Sequence, residues 1–143
     1  MSTLIDTNVL LRQFEPAHVQ HAVAVGATLR LLESGELLLV AAQNLGEYWA
    51  AATRQPPQGL GLDFATAQAG LGHIEQIFQL LPDDPAIYEE WRRLVTEQRV
   101  TGLKAWDVRL LAVMRVHDVA RILTFDRAFP DYGVEVLDPM VVT

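Results

Sequence analysis

Cysteine is absent from the 143 residues of the chain. Disulfides and thiolate metal sites are therefore excluded, and the composition fits a reducing compartment. Long apolar runs are also missing: the longest, Leu37 to Ala42, is far shorter than the roughly 20 residues of a membrane-spanning helix. The N-terminal segment MSTLID has no basic start, which is unlike a secretory signal. These absences predict a cytoplasmic protein with no membrane segment.

Positive charge is scarce. The chain has 11 basic and 18 acidic residues, and the net charge of −7 argues against a protein that simply coats nucleic acid. Lys104 is the only lysine, so the other basic residues are arginines. Most basic residues fall within positions 92–127. The plain interpretation is a solvated helix surface with salt bridges, and the alternative is a surface that binds phosphate through arginine.

The apolar content is high enough for a folded core. Half of the residues are hydrophobic and 20% are charged, which is typical of a globular domain rather than a disordered chain. We find no internal repeat. The segment RQPPQGLGLD, residues 54–63, is the clearest interruption, and it is too short for a domain linker. The length and pattern predict one domain over residues 1–143.

Apolar periodicity and turn residues predict alternating strands and helices. Strands are predicted at residues 3–5 and in the segments GELLLVAA, QLLP, RILTFD and VEVLDP. Helices are predicted over residues 8–14, about 17–32, 43–54, 63–78, 85–98 and 104–117. Strands separated by helices indicate an α/β fold, with a mostly parallel central sheet of four to five strands flanked by helices.

Four acidic residues occur in apolar surroundings. Asp6 and Asp126 come at the ends of predicted strands, where ligands collect in a parallel sheet. Glu47 and Asp107 lie in the helical segments QNLGEYWAA and KAWDVRLLAVM. An unpaired carboxylate beside a buried face is costly. The four acids are reconciled with their surroundings if they face one another across bound Mg²⁺ or Mn²⁺, which prefer oxygen ligands.

Each acid also has a plain structural interpretation. Asp6 could cap the helix that follows it. Asp107 could favour the positive end of its helix or pair with an arginine. Glu47 could face solvent, and Asp126 could form an Asx-turn. Taken singly, the residues leave these alternatives open.

The segments LIDTNVLL, AAQNLGEYWAAATR, GLKAWDVRLLAVM and ILTFDRAF together resemble the PIN-domain family. Within it, the chain resembles the VapC-type toxins of bacterial toxin–antitoxin modules. The resemblance covers nearly the whole chain, and the combination of segments is more specific than the first alone. It implies an acidic quartet that binds Mg²⁺ or Mn²⁺ and serves catalysis, formed by Asp6, Glu47, Asp107 and Asp126. It also implies supporting hydroxyl or amide contacts from Thr7, Asn8 and Thr124.

The resemblance implies a metal-dependent endoribonuclease that hydrolyses RNA phosphodiester bonds as the toxin of a type II toxin–antitoxin pair. It further implies a cognate antitoxin that occludes the acidic pocket, and a homodimer. Divalent ions held by carboxylates activate water and neutralise phosphate charge, so no protein nucleophile is needed. Arg109 and Arg127, the arginines nearest to the last two acids, are candidate contacts for RNA or antitoxin. The chain departs from the family at Trp106, where histidine is frequent.

Two other functions are considered. A catalytically silent interaction protein with a PIN-like fold would be expected to lose acids, yet all four are present. A metal-dependent phosphatase of the haloacid dehalogenase type also begins with an aspartate at a strand end. It requires a second acid two residues later, and this chain has Asn8 there.

Overall fold

The computed structural model describes residues 1–142, which form alternating strands and helices. The strands are β1 (Ser2–Ile5), β2 (Leu37–Ala41), β3 (Gln79–Leu81), β4 (Arg121–Leu123) and β5 (Glu135–Leu137). The α-helices are α1 (Thr7–Arg12), α2 (His21–Glu33), α3 (Ala42–Thr53), α4 (Phe64–Ile77), α5 (Pro85–Glu97) and α6 (Lys104–Val116). A short 3₁₀ helix follows at Pro139–Val141. Within this described part of the chain, no helix is both long and apolar enough to cross a membrane.

The five strands form one sheet in the order β3-β2-β1-β4-β5, and every neighbouring pair is parallel. Strand β1 is central: Leu4 is in register with Leu39 of β2 and with Ile122 of β4. This topology confirms the predicted α/β fold with a parallel sheet. Because all strands point the same way, their carboxyl ends meet at one edge of the sheet.

The two faces of the sheet bury two separate apolar clusters. Successive side chains of a strand point to opposite faces, so neighbouring residues of β1 belong to different clusters. Leu4 packs with Leu111 and other side chains of α5 and α6, whereas Ile5 packs with Leu10 and side chains of α1 to α4. Helices therefore cover both faces, as the apolar strands require. This arrangement holds α3 and α6 on opposite sides of the β1 carboxyl end.

The helix starts follow local hydrogen-bonding chemistry. Asp63 caps α4, because its side chain accepts a hydrogen bond of 2.7 Å from the Thr66 amide. Helix α2 begins at His21, four residues later than the sequence pattern predicts. The reason lies in His18, whose Nδ1 accepts a hydrogen bond of 3.0 Å from the Gln20 amide. That side chain gives the backbone a turn in place of the first helical turn.

Candidate functional site

A cavity of about 450 Å³ lies at the carboxyl edge of the sheet. The four acids predicted from the sequence all line it, although they come from four different parts of the fold: Asp6, Glu47, Asp107 and Asp126. The remaining lining residues are Thr7, Asn8, Leu11, Ala50, Ala51 and Arg54. The structure thus brings the acids together, while their roles as metal ligands and in catalysis stay predictions.

Asp6 connects β1 to α1 and is buried, with 8% of its surface exposed. It caps α1, because Oδ1 accepts a hydrogen bond of 2.7 Å from the Thr7 amide. Its other oxygen, Oδ2, accepts one of 2.8 Å from Thr124 Oγ1. The capping interpretation and the site interpretation therefore both apply to this residue. One carboxylate orients the helix and also lines the cavity.

Burial raises the pKa of Asp6 from 3.8 to about 6. The hydrogen bonds from Thr124 and Thr7 act in the opposite direction, because they stabilise the charged form. The neighbouring charges of Asp107 and Glu47 add smaller upward contributions. Asp6 is thus a carboxylate whose charge the fold disfavours when no cation lies beside it.

A polar network joins three of the four acids, Asp6, Glu47 and Asp126. Thr7 Oγ1 donates a hydrogen bond of 2.9 Å to Glu47 Oε1, and Asn44 Nδ2 donates one of 3.1 Å to the Thr7 hydroxyl. Asn8 Nδ2 donates one of 3.0 Å to Thr124 Oγ1. The predicted supporting residues therefore do contact the acids or each other. Asn44 is fully buried, and sequence reasoning missed it, because its partner Thr7 lies 37 positions away in the sequence.

Glu47 and Asp107 approach the cavity from α3 and α6, and both are half-buried. The pKa of Asp107 is raised, first by burial and then by the charges of Asp126 and Glu47, while Lys104 opposes the shift. Asp107 lies in the first turn of α6, where the helix dipole favours its charge. Between residues 1 and 142, Asp107 forms no ion pair. Its main electrostatic neighbours are therefore other carboxylates.

Asp126 is the exposed member of the quartet. Its Oδ1 accepts a hydrogen bond of 2.9 Å from the Ala128 amide, which is the predicted Asx-turn. Its own amide donates one of 3.0 Å to Thr124 Oγ1. The turn fixes the loop after β4, and it leaves the second carboxylate oxygen of Asp126 without a hydrogen-bond partner among the described residues.

The two arginines singled out in the sequence lie outside this cavity. Arg109 donates hydrogen bonds of 3.2 Å to Gln43 and to Asp83, and it lines a neighbouring cavity. Arg127 is exposed, and its Nε lies 3.6 Å from an Asp138 carboxylate oxygen. The basic residue that lines the acidic cavity is Arg54, which the sequence analysis did not select.

The donor atoms of the cavity suit a hard cation. They are carboxylate, amide and hydroxyl oxygens, the ligands that Mg²⁺ and Mn²⁺ prefer, with no sulfur or imidazole among them. Four formal negative charges face a single arginine. Within residues 1–142, however, no three His, Cys, Asp or Glu side chains already stand as a converged ligand set. The residues fit a divalent cation in chemistry and placement, and they would have to draw closer to ligate it directly.

The protein is an α/β protein with an all-parallel sheet, and its acid-lined cavity lies at the carboxyl edge, where ligands generally bind in open α/β sheets. A sequence model described as PIN domain matches residues 3–135, and the chain therefore belongs to the PIN domain family. This finding confirms the family predicted from the four sequence segments. No protein among those with curated descriptions matches the chain.

Several solved structures share the fold. VapBC2 from Rickettsia felis, bound to a promoter DNA fragment, is 12% identical with a TM-score of 0.70, covering 96% of this chain and 98% of that chain. VapC20 of Mycobacterium tuberculosis, described as a sarcin–ricin-loop-cleaving toxin, is 20% identical with a TM-score of 0.68, covering 92% and 95%. A toxin–antitoxin complex from Klebsiella pneumoniae is 17% identical with a TM-score of 0.67, covering 96% and 97%. At these identities the likeness shows a common fold.

Proposed function

We propose that the protein is a Mg²⁺- or Mn²⁺-dependent endoribonuclease, and that it acts in the cytoplasm as the toxin of a type II toxin–antitoxin pair. The observation that carries the proposal is the cavity into which four elements of the fold bring four carboxylates. Membership of the PIN domain family supports it. So do solved structures of the same fold that are described as toxins or toxin–antitoxin complexes.

The metal ligands in this proposal are Asp6, Glu47, Asp107 and Asp126. When bound, a divalent cation would supply an activated water and neutralise the charge of the phosphodiester. The chain's own contribution is orientation. The Thr7 amide and the Thr124 hydroxyl hold the two oxygens of Asp6, and the Thr7 hydroxyl holds Glu47. Such outer hydrogen bonds fix the orientation of Asp6 and Glu47, while the four carboxylates would still have to draw closer to ligate a cation.

Arg54 is the natural phosphate contact. It is exposed at the C-terminal end of α3 and faces the same cavity as the acids. A cavity of carboxylates repels a polyanionic strand, and a guanidinium at its rim offsets part of that repulsion. Arg109 and Arg127 remain predicted contacts for RNA or antitoxin, but from outside this cavity.

We further propose a homodimer and an inhibitory antitoxin whose Arg or Lys enters the acidic quartet. Charge complementarity supports the antitoxin contact, since the cavity carries four acids and one arginine. Light scattering should give a dimer at micromolar concentration, and a monomer would contradict the homodimer. Hydroxyl-radical footprinting of a co-expressed antitoxin should protect the rim of the cavity, and protection confined to a distant surface would contradict the inhibitory contact.

The decisive experiment removes one charge without changing shape. Asp107→Asn should abolish metal-dependent cleavage of total RNA while the circular dichroism spectrum and the melting temperature indicate an intact fold. Asp131→Asn is the matched control, because Asp131 is an exposed aspartate outside the cavity. Mapping the ends of the cleaved RNA identifies the substrate. If Asp107→Asn cleaves as wild type does when Mn²⁺ is added, the catalytic assignment of Asp107 is wrong.

The same assay addresses the two alternatives. A catalytically silent interaction protein would show no cleavage by the wild type either. The phosphatase alternative is disfavoured by Asn8: its Nδ2 donates to Thr124, and its Oδ1 accepts a hydrogen bond of 3.1 Å from the Phe125 amide. Both ends of that side chain therefore hold the loop after β4, where the phosphatase chemistry would need a free acid.

A further inference from the structure

A second cavity, of about 310 Å³, lies between α5 and α6 and is lined mainly by aromatic rings. We call it the aromatic cavity; its lining residues are Asp84, Ile87, Tyr88, Trp91, Trp106 and Arg109. Two of the rings are unusually exposed, with 62% of the Tyr88 surface and 57% of the Trp106 surface accessible. Exposed rings grouped in this way indicate a binding surface.

The aromatic cavity is preorganised. Trp91 Nε1 donates a hydrogen bond of 2.9 Å to the Ala105 carbonyl, which fixes its indole between the two helices. The ring centroids of Tyr88 and Trp91 are 6.0 Å apart. Arg109 is held by hydrogen bonds to Gln43 and Asp83. A ligand would therefore meet an indole and a guanidinium whose positions are already restricted, which lowers the entropic cost of binding.

The aromatic cavity adjoins the acidic one. Trp106 lines the first and Asp107 lines the second, and these residues are consecutive in the first turn of α6. Gln43 of α3 donates a hydrogen bond of 3.0 Å to the Trp106 carbonyl and accepts one from Arg109. Glu47, one helical turn after Gln43, lines the acidic cavity. Hydrogen bonds between α3 and α6 thus connect the linings of the two cavities.

We propose that the aromatic cavity binds an unpaired base of the RNA strand whose phosphate lies at the acidic cavity. This inference rests on the proposed nuclease function. Aromatic side chains stack on bases of any sequence, and such stacking is the usual way proteins hold single-stranded RNA. Asp84 and Arg109 at the rim supply an acceptor and donors for the edge of a stacked base. The site would select unpaired nucleotides, because a base inside a duplex cannot enter between rings.

The place of the aromatic cavity favours a base over a protein partner. It adjoins the acids that would receive the scissile phosphate, so a base bound there would belong to the same strand. Its one aliphatic residue, Ile87, is only 2% exposed, so a ligand would meet mainly the rings and the charged groups. Trp, Tyr and Arg side chains also anchor protein–protein interfaces. A second copy of this chain covering Tyr88 and Trp106 is the competing occupant that the experiment must detect.

The experiment measures the affinity of a fluorescein-labelled single-stranded oligoadenylate by anisotropy, with Mg²⁺ present. All binding variants carry Asp107→Asn, which should abolish cleavage, so that the probe stays intact. We expect Trp106→Ala and Tyr88→Ala to weaken binding by about 5- to 100-fold, the range for loss of one stacked base. Trp106→Phe should retain most of the affinity. Phe64→Ala is the matched control, because Phe64 is a 67% exposed ring outside both cavities.

A second probe tests stacking directly. The same strand is made with one abasic nucleotide at successive positions. At one position the abasic strand should bind the parent protein as weakly as the intact strand binds Trp106→Ala. At that position, the abasic nucleotide and Trp106→Ala together should reduce the binding free energy little more than either change alone. If the losses of binding free energy from the abasic nucleotide and from Trp106→Ala add fully at every position, Trp106 does not stack on a base.

Two further outcomes are distinguishable. If Trp106→Ala leaves RNA affinity unchanged and converts a dimer to a monomer in light scattering, the surface is an interface between copies and the inference is overturned. If the wild type shows no metal-dependent cleavage but base-dependent binding is lost in Trp106→Ala, the nuclease proposal fails and the base site stands.

Discussion

Thr124 Oγ1 donates a hydrogen bond of 2.8 Å to Asp6 Oδ2, joining residues that lie 118 positions apart. The same hydroxyl accepts hydrogen bonds of 3.0 Å from Asn8 Nδ2 and from the Asp126 amide. One buried hydroxyl therefore links the end of β1, the start of α1 and the loop after β4. We infer that it positions Asp6 and Asp126 relative to each other.

Thr124→Val keeps the shape of the side chain and removes this hydroxyl. Because the hydrogen bond from Thr124 lowers the pKa of Asp6, its loss should raise that pKa further and disfavour the charged ligand. We expect the Mn²⁺ concentration for half-maximal RNA cleavage to rise about 10- to 100-fold, as for other residues that orient metal ligands. The acidic limb of the pH–rate profile should also move to higher pH. Thr124→Ser should behave like wild type; equal losses in both variants would refute this role.

The raised pKa of Asp6 predicts how metal-free stability depends on pH. Its folded-state pKa of about 6 lies above the ordinary value of 3.8, so the folded protein binds this proton more tightly than the unfolded chain. The stabilising effect is complete below pH ~4 and is lost as pH rises through ~6. Its size is about 3 kcal/mol, from about 1.36 kcal/mol per pKa unit.

Urea unfolding of wild type and Asp6→Asn in EDTA, from pH 4 to 7, tests this prediction. The variant lacks the titrating group, so the difference between the two curves isolates Asp6. Acids that do not interact with Asp6 cancel in that difference, including Glu90, whose pKa is lowered by its hydrogen bond from Arg93. A difference that stays constant between pH ~4 and ~6 would show that Asp6 does not titrate there.

Arg54 should contribute to RNA binding through a phosphate. Arg54→Ala is expected to raise KM for a susceptible RNA several-fold with little change in kcat. The slope of log affinity against log salt concentration should fall by about 0.7, the value for one phosphate contact on a single strand. Arg30→Ala is the matched control, because Arg30 is also exposed but lies outside the cavity. An unchanged salt slope in Arg54→Ala would exclude the phosphate contact.

The sequence predicts the acids better than the basic residues, and helix geometry explains why. Asp6 and the loop containing Asp126 follow strands, and a parallel sheet brings all strand ends to one edge. Arg109 lies two residues after Asp107, which turns its side chain by about 200° around α6 and out of the cavity. Arg54 lies seven residues after Glu47, about two full turns along α3, and therefore faces the same cavity. Nearness in sequence was the weaker guide.

The aromatic cavity could not have been found from the sequence. Tyr88 and Trp91 occupy α5, and Trp106 occupies α6. Each helix alone shows ordinary aromatic positions. Their meeting depends on the angle at which α5 packs on α6 and on the loop between them, and no local pattern encodes either. The same limitation applies to Asn44, whose partner Thr7 lies 37 positions away.

Close packing between α3 and α4 gives a prediction about stability. A Cβ at Gly70 of α4 would overlap the hydroxyl of Tyr48 and approach the Phe14 ring at 3.2 Å. Gly70→Ala should therefore lower the free energy of unfolding by about 1–3 kcal/mol. Gly72→Ala is the matched control in the same helix, because no atom lies within 4 Å of its added Cβ. That variant should be neutral or stabilised by up to about 1 kcal/mol.

Tyr48→Phe separates overlap from other causes. The Tyr48 hydroxyl donates a hydrogen bond of 3.1 Å to the Ala67 carbonyl, and its removal alone should cost about 1 kcal/mol. In the Gly70→Ala background the same change also removes the overlapping atom, so it should recover part of the lost stability. If the two losses in the free energy of unfolding simply add in the double variant, the Tyr48 hydroxyl is not what obstructs the new Cβ at position 70.

The last prediction distinguishes a metal site from an isolated turn at Asp126. Asp126→Asn keeps the oxygen that accepts from the Ala128 amide, so it should preserve the Asx-turn and remove only the charge. Because Asp126 is exposed, its metal-free stability should stay within about 0.5 kcal/mol of wild type or rise slightly. In Mn²⁺ the two proteins should differ. At a concentration of about 100 times Kd, the wild type gains about 2.7 kcal/mol by binding in the folded state. A variant with tenfold weaker affinity gains only about half as much.

Thermal melts with EDTA and with Mn²⁺ measure both quantities. Asp131→Asn, another exposed aspartate that does not line the cavity, should show the full wild-type gain. If Mn²⁺ stabilises wild type and Asp126→Asn equally, or stabilises neither, Asp126 does not belong to a metal site.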